Sequence, residues 1–170
     1  MSFIRGAAGK AAFGGVLTAC ALIFSYVEHM VPVSIGFPGV KLGIANVVII
    51  VALYAVGAKC AFAVNVIRIF IAAMLFSGMF GMLFGLAGGL LSLFTMTLLK
   101  RAGIFSVVGV SIAGGVAHNI GQLLAAAAFI ANFAVAYYLP VLLLSGALTG
   151  ALVGALSHAA LSRLPGAPRQ

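Results

Sequence analysis

Few residues in this chain are able to do chemistry, and they stand out against an apolar background. The stretch Ser111-Ile-Ala-Gly-Gly-Val-Ala-His118-Asn119-Ile-Gly-Gln122 places a histidine, two amides, a hydroxyl and three glycines inside one long apolar segment. On a helix Ser111, Gly115, His118 and Gln122 fall at i, i+4, i+7 and i+11 and share a face, with Asn119 beside them. Such groups are costly in hydrocarbon and usually face a partner, a cavity or a ligand. Ser111 and His118 lie seven residues apart, about 10 Å by helical rise, too far for a nucleophile and its base. The stripe therefore reads as a binding face or an internal brace, and the sequence carries no catalytic constellation.

Arg68 is the sharpest single residue. It sits midway along an apolar run, where a cation costs roughly 2.5–3.5 kcal/mol or more unless it is paired or hydrated. Two readings stand open. Glu28, the only acid in the chain, is its one fixed counter-charge, and an Arg68–Glu28 pair, or bonds from Arg68 to helix carbonyls, would hold the bundle together. Alternatively, Arg68 awaits a phosphate or carboxylate on a ligand, which a guanidinium can hold with two parallel hydrogen bonds. His118 divides in the same way, between a ligand contact and a histidine satisfied by Asn119, Ser111 or a carbonyl.

The composition says what must position these groups. Of 170 residues, 65% are hydrophobic and 6% charged, with a mean hydropathy of +1.32. Soluble domains carry about a quarter charged residues, so the expected class is an all-α integral membrane protein forming one domain over 1–170. Six spans of about 20 residues use most of the length. A formal charge of +8 would suggest nucleic acid in a soluble protein. Here the basic residues cluster at span ends, where membrane orientation and anionic lipid account for them. One carboxylate supports neither a two-acid hydrolysis nor clustered Mg-diphosphate ligands. Cys20 and Cys60 read as buried thiols, and His29, His118 and His158 lie at different levels, so no metal site is expected.

Apolar runs and breakers place the spans at about 11–30, 42–56, 61–76, 78–99, 105–130 and 140–163. Leu17-Thr18-Ala19-Cys20 resembles a lipoprotein cleavage box, but the chain stays apolar through Val27, so the run is kept as a span. Residues 31–41, with Pro32, Gly36, Pro38 and Gly39, read as a structured loop and a lid over the bundle. Glycines spaced by four in spans four and six (Gly81, Gly85, Gly89; Gly146, Gly150, Gly154) read as packing seams. With both termini inside, the inner ends hold Arg5, Lys10, Lys59, Lys100, Arg101, Arg163 and Arg169, against Lys41 alone outside. The positive-inside rule favours that orientation. Glu28, His29, Lys41, Asn46, Arg68, His118, Asn119 and Gln122 then gather in the middle and outer half, as if lining an outward pocket under the loop.

Pro38-Gly39-Val-Lys41-Leu-Gly43-Ile-Ala45-Asn46, Arg68, Ala87-Gly-Gly-Leu-Leu-Ser92 and the Ser111–Gln122 stretch resemble a small bacterial membrane family called Gx transporters. The same family is also labelled heptaprenyl diphosphate synthase component I. It is similar in turn to the substrate-binding S components of energy-coupling factor vitamin transporters. The resemblance implies six helices, an outward pocket capped by the first loop, and a first helix that docks on a transmembrane partner through small residues. Ala7, Ala11, Gly15 and Ala19 match that last pattern. Prenyl diphosphate synthases of the usual kind hold Mg with aspartates, and this chain has none, which leaves it an accessory subunit at most in such a system. Some relatives are associated with flavin delivery, which makes a flavin one candidate ligand.

Two functions follow as expectations. In the first, a subunit of the bacterial inner membrane captures a small anionic or amphipathic molecule from outside, using Arg68, His118, Asn119, Gln122, Asn46, Lys41 and Glu28. No P-loop (G-x-x-x-x-G-K-[ST]) and no acidic relay is present, so transport needs an energising partner. In the second, the chain is a structural or accessory subunit of a membrane redox or isoprenoid-synthesis complex.

Overall fold

The computed structural model describes residues 6–30, 42–131 and 137–164. They form six α-helices: α1 (Ala7–Met30), α2 (Ala45–Ala55), α3 (Ala58–Ala72), α4 (Gly78–Ala102), α5 (Val107–Ile130) and α6 (Leu139–Arg163). A π-helical turn, Ala73–Ser77, extends α3. No proline interrupts a helix interior, and Pro140 stands in the first turn of α6, where its missing N–H has no partner to lose. Ser106 caps α5, its hydroxyl accepting from Gly109 N at 3.2 Å. At the end of α4, Lys100 and Arg101 complement the helix dipole, and Gly103 takes the left-handed conformation (φ 73°) that stops it.

Four apolar stretches are long enough to cross a membrane: Ala7–Met30, Ala58–Ala102, Val107–Ile130 and Leu139–Arg163. The second is a hairpin. Gly85 packs on Ile69, and Gly89 on Asn65 and Ile69, so α4 runs back along α3 after the chain reverses at Gly78 (φ 67°). Neighbouring contacts fix the other directions. Gly14 meets Cys60, and Ser25 meets Arg68, so α1 and α3 run parallel. Gly88 meets His118 while Gly114 meets Met96, and Gly146 meets Gly115 while Gly154 meets Val108, so α4, α5 and α6 alternate. Lys10, Lys59, Lys100, Arg101 and Arg163 consequently lie at one end of the bundle. The exterior is as apolar as the core. Met74 is 85% exposed and Leu144, Leu148 and Phe94 are each above 60%. Only hydrocarbon suits such a surface, and the chain is a membrane protein.

The helix bounds differ from the sequence expectation mainly around α2. Its regular part is 45–55, shorter than 42–56, and α3 begins at Ala58. The turn between them contracts from Gly57–Cys60 to Val56 and Gly57, because Gly57 adopts φ 126°. With 11 residues, α2 rises only about 16 Å. Apart from Asn46 near its start it is apolar on all faces, and Ala45, Val48 and every residue from Ile49 to Tyr54 are buried, as befits a helix enclosed by others. Its C-terminal end is capped by Lys100, whose Nζ donates to Leu53 O at 2.6 Å and lies 4.8 Å above the Tyr54 ring. The expected lid, 31–41, and with it Lys41, lies outside the described residues.

The glycines of α4, α5 and α6 set the spacing of their helices. A Cβ on Gly150 would stand 2.8 Å from both Ile112 Cα and Ser111 O, and one on Gly121 would stand 2.5 Å from Ala87 O. These obstacles are backbone and cannot rotate away. The small stripe of α1 is different: Ala7, Ala11, Gly15 and Ala19 are all exposed, and nothing stands within 4 Å of a Cβ on Gly15. Gly150→Ala is therefore expected to destabilise the protein by about 1–3 kcal/mol through overpacking, while Gly15→Ala leaves stability unchanged or slightly raised. Thermal unfolding of the two variants in mild detergent checks the contrast, and equal effects would contradict the seam.

Candidate functional site

The polar groups of the bundle collect in two places. The first is built on Arg68. Its position on α3, ten residues after Ala58 and nine before Ser77, puts it roughly 13–15 Å from either end of that arm. Asn65, one turn earlier on the same face, is 1% exposed. Its Oδ1 accepts from Arg68 Nε at 3.2 Å and from Nη2 at 3.0 Å. Nη2 also donates to Asn46 Oδ1 at 3.0 Å, and Nη1 to Ser25 Oγ at 3.4 Å. The guanidinium is thus held by three neutral oxygens from α1, α2 and α3. Glu28 is engaged elsewhere: its Oε1 accepts from Ile44 N at 2.9 Å, at the head of α2. The carboxylate still acts on Arg68 as a Coulombic neighbour.

Beside this cluster, α2, α4, α5 and α6 line a partly open cavity of about 20 Å³, bordered by Asn46, Ser92, Ser111, Thr149, Gly114 and Gly150 among others. That is room for about one water. Ser111 Oγ donates to Gly150 O at 2.7 Å, and Thr149 Oγ1 to Ser145 O at 2.9 Å. Ser92 is 4% exposed, and its hydroxyl has no hydrogen-bond partner among the described residues. Asn46 belongs to both places, joining the guanidinium to the cavity.

The α5 stripe is divided between the two helices that grip it. His118 Nε2 and Gln122 Nε2 are 3.1 Å apart, and both side chains crowd Gly88 of α4. Asn119 turns to α6, its Nδ2 donating to Leu142 O at 2.7 Å and Ser145 Oγ at 3.2 Å. Of the residues singled out in the sequence, Arg68 and Asn46 are in direct contact, and Glu28 joins them through the head of α2. Asn119 bonds to α6, and His118 and Gln122 meet each other beside α4, within the α4–α5–α6 half. Asn65, Ser25, Ser92 and Thr149 were not singled out as site residues. Asn65 had a signal in its i, i+3 spacing to Arg68. Ser25 had none, because an isolated hydroxyl in an apolar helix commonly bonds to its own backbone.

What this arrangement can do is bind. It joins a fixed cation, amide and hydroxyl dipoles and a helix N-terminus, with one carboxylate nearby. Among the described residues no three His, Cys, Asp or Glu side chains converge as metal ligands would. Comparison with known families places the chain. The model described as heptaprenyl diphosphate synthase component I matches residues 17–160. The chain belongs to that family. The matched region begins within α1 and ends in α6, so it contains the Arg68 cluster, the cavity and the divided stripe. No curated protein and no solved structure matches the chain.

The bonds around Arg68 make Asn65 the residue on which the cation most depends. Asn65→Leu removes the acceptor of two N–H groups in a dry setting and is expected to lower stability by about 2–3 kcal/mol. Ser25→Ala, losing one long bond, should cost under about 1 kcal/mol. Chemical or thermal unfolding in detergent measures both, and a reversed order would show that Asn65 is not the main support.

Proposed function

We propose that the chain is a membrane-embedded binding subunit that receives the charged head of a small anionic or amphipathic molecule at Arg68 and Asn46. One observation carries this reading: Arg68 is half-buried and, among the described residues, hydrogen-bonded only to neutral oxygens. A cation solvated by dipoles keeps its net charge for an incoming anion, and the positive end of α2 adds to it. The chain's family is described as a component of a heptaprenyl diphosphate synthase. A prenyl diphosphate, with an anionic head and an apolar tail, is the first molecule to test, and a flavin nucleotide is the second. The cavity admits about one water, so either head group must displace bonds now made by Arg68. A component implies a partner subunit that performs the chemistry or supplies the energy, since a lone carboxylate is a poor basis for either.

In the same reading the chain crosses the bacterial inner membrane six times, with α3 and α4 as separate arms and α2 as a partial one. The basic end faces the cytoplasm, as the positive-inside rule favours. The Arg68 site opens toward the opposite, outer end. Ala7, Ala11, Gly15 and Ala19, exposed on α1, serve as the contact with the transmembrane partner. His118, Asn119 and Gln122 line the inner flank of the site or brace it.

The second reading, an accessory subunit without its own ligand, is favoured by the same bonds seen from the other side, because Arg68 already ties α1, α2 and α3 together. Arg68→Ala separates the two. Binding predicts that affinity for farnesyl diphosphate, measured by microscale thermophoresis in detergent, falls at least tenfold, about 1.4 kcal/mol. The accessory reading predicts a lower thermal midpoint and no specific binding to either protein.

A further inference from the structure

The only carboxylate of the chain lies where an anionic ligand would be drawn. Helix α2 has no side-chain cap of its own at its first turn. Glu28, sixteen residues earlier and on another helix, supplies the acceptor for Ile44 N at 2.9 Å. Ile44 precedes the first residue of α2, and Asn46, two residues on, holds Arg68 Nη2 at 3.0 Å. Two sources of positive potential therefore adjoin, a guanidinium and a helix N-terminus equivalent to roughly half a charge. One carboxylate serves both, by hydrogen bond to the second and across space to the first.

We propose that Glu28 is a tethered competitor for the anion site described above, occupying the head of α2 when no ligand is bound. This rests on the binding reading and adds a specific element to it. An anion arriving at Arg68 meets the field of the Glu28 charge at the same head of α2, and the two negative groups repel less if the carboxylate leaves Ile44 N. Ligand capture is then an exchange of one anion for another at the head of α2. The outer end of α1, which carries Glu28, and the approach to α2, which carries Ile44, are freed from each other in that exchange. Affinity is set lower than the positive groups alone would give, which suits a subunit that must also release its ligand.

Removing the charge while keeping the acceptor is the direct test. Glu28→Gln retains an oxygen for Ile44 N, so the fold should be preserved, and its thermal midpoint verifies this. Farnesyl diphosphate should bind Glu28→Gln about tenfold more tightly than wild type, whereas Glu28→Asp, which keeps the charge, stays near wild type. Farnesol, with the same tail and no charge, should not distinguish the three proteins. If wild type binds the diphosphate through Arg68 and Glu28→Gln binds it equally or less well, Glu28 is part of the scaffold and the competitor role falls alone. If neither wild type nor Glu28→Gln binds, the binding reading falls with it. Binding by Glu28→Gln alone supports both.

Discussion

A guanidinium halfway along an apolar helix is the constraint around which this bundle is arranged. In water Arg68 would be solvated freely. In hydrocarbon it must find its acceptors within the protein, and the geometry of five N–H donors in one plane dictates where they stand. Asn65 reaches from the preceding turn, Asn46 from the head of α2 and Ser25 from α1. The bonds to Asn46 and Ser25 each fix a helix relative to α3. The short α2 is the element most affected. It is too short to span a bilayer by itself and apolar but for Asn46 and the Tyr54 hydroxyl, so its placement depends on what holds its two ends. Glu28 and Asn46 act at its head, and Lys100 acts at its tail.

The other half of the molecule is held by a different physics. Between α4, α5 and α6 the contacts are of backbone on backbone, made possible by glycines at Gly88, Gly115, Gly121, Gly146, Gly150 and Gly154. In a membrane the hydrophobic effect gives helices no reason to associate, and close packing with interhelical hydrogen bonds takes its place. Ser111 to Gly150 O and Asn119 to Leu142 O are such bonds, placed where the seam brings carbonyls within reach. The cavity of about 20 Å³ lies where the two halves meet, with Ser92 and Ser111 on the seam side and Asn46 on the Arg68 side. A glycine-packed α4–α5–α6 wall thus faces, across a polar pocket, a short helix held at its two ends.

How much of this was legible in the sequence follows from the kind of signal each feature leaves. Apolar runs ended by glycine, proline and basic residues marked where the six helices lie, although α2, at 11 residues, is shorter than a bilayer-spanning run. Glycines spaced by four in α6 read as a seam, and they contact α5. The seam glycines of α5 did not stand out as such, because Gly114, Gly115 and Gly121 lie among polar residues that invite a functional reading. Periodicity put Ser111, His118 and Gln122 on one face, but it does not say which of two flanking helices each side chain meets. Crossing geometry decides that, and it sent Asn119 to α6 and His118 with Gln122 toward α4. Arg68 was visible as an anomaly, yet its partners come from 3, 22 and 43 residues away, separations that composition and spacing do not encode.

The Glu28–Ile44 bond joins these observations. In a chain with nine basic residues and one acid, general electrostatics does not require the acid at all, and the +8 charge would be as well oriented without it. The carboxylate is also not used for the closest ion pair open to it, since Arg68 is solvated by neutral oxygens while Glu28 turns to a backbone amide. An acid retained only to neutralise Arg68 would be expected against the guanidinium, in a bidentate pair. An acid at the head of a short helix, beside a cation left net positive, is placed instead to share the site's field without quenching it. For the binding role proposed above, the arrangement would leave an attractive potential for an anion and a local charge that opposes permanent occupation, and both would follow from where one side chain makes its hydrogen bond.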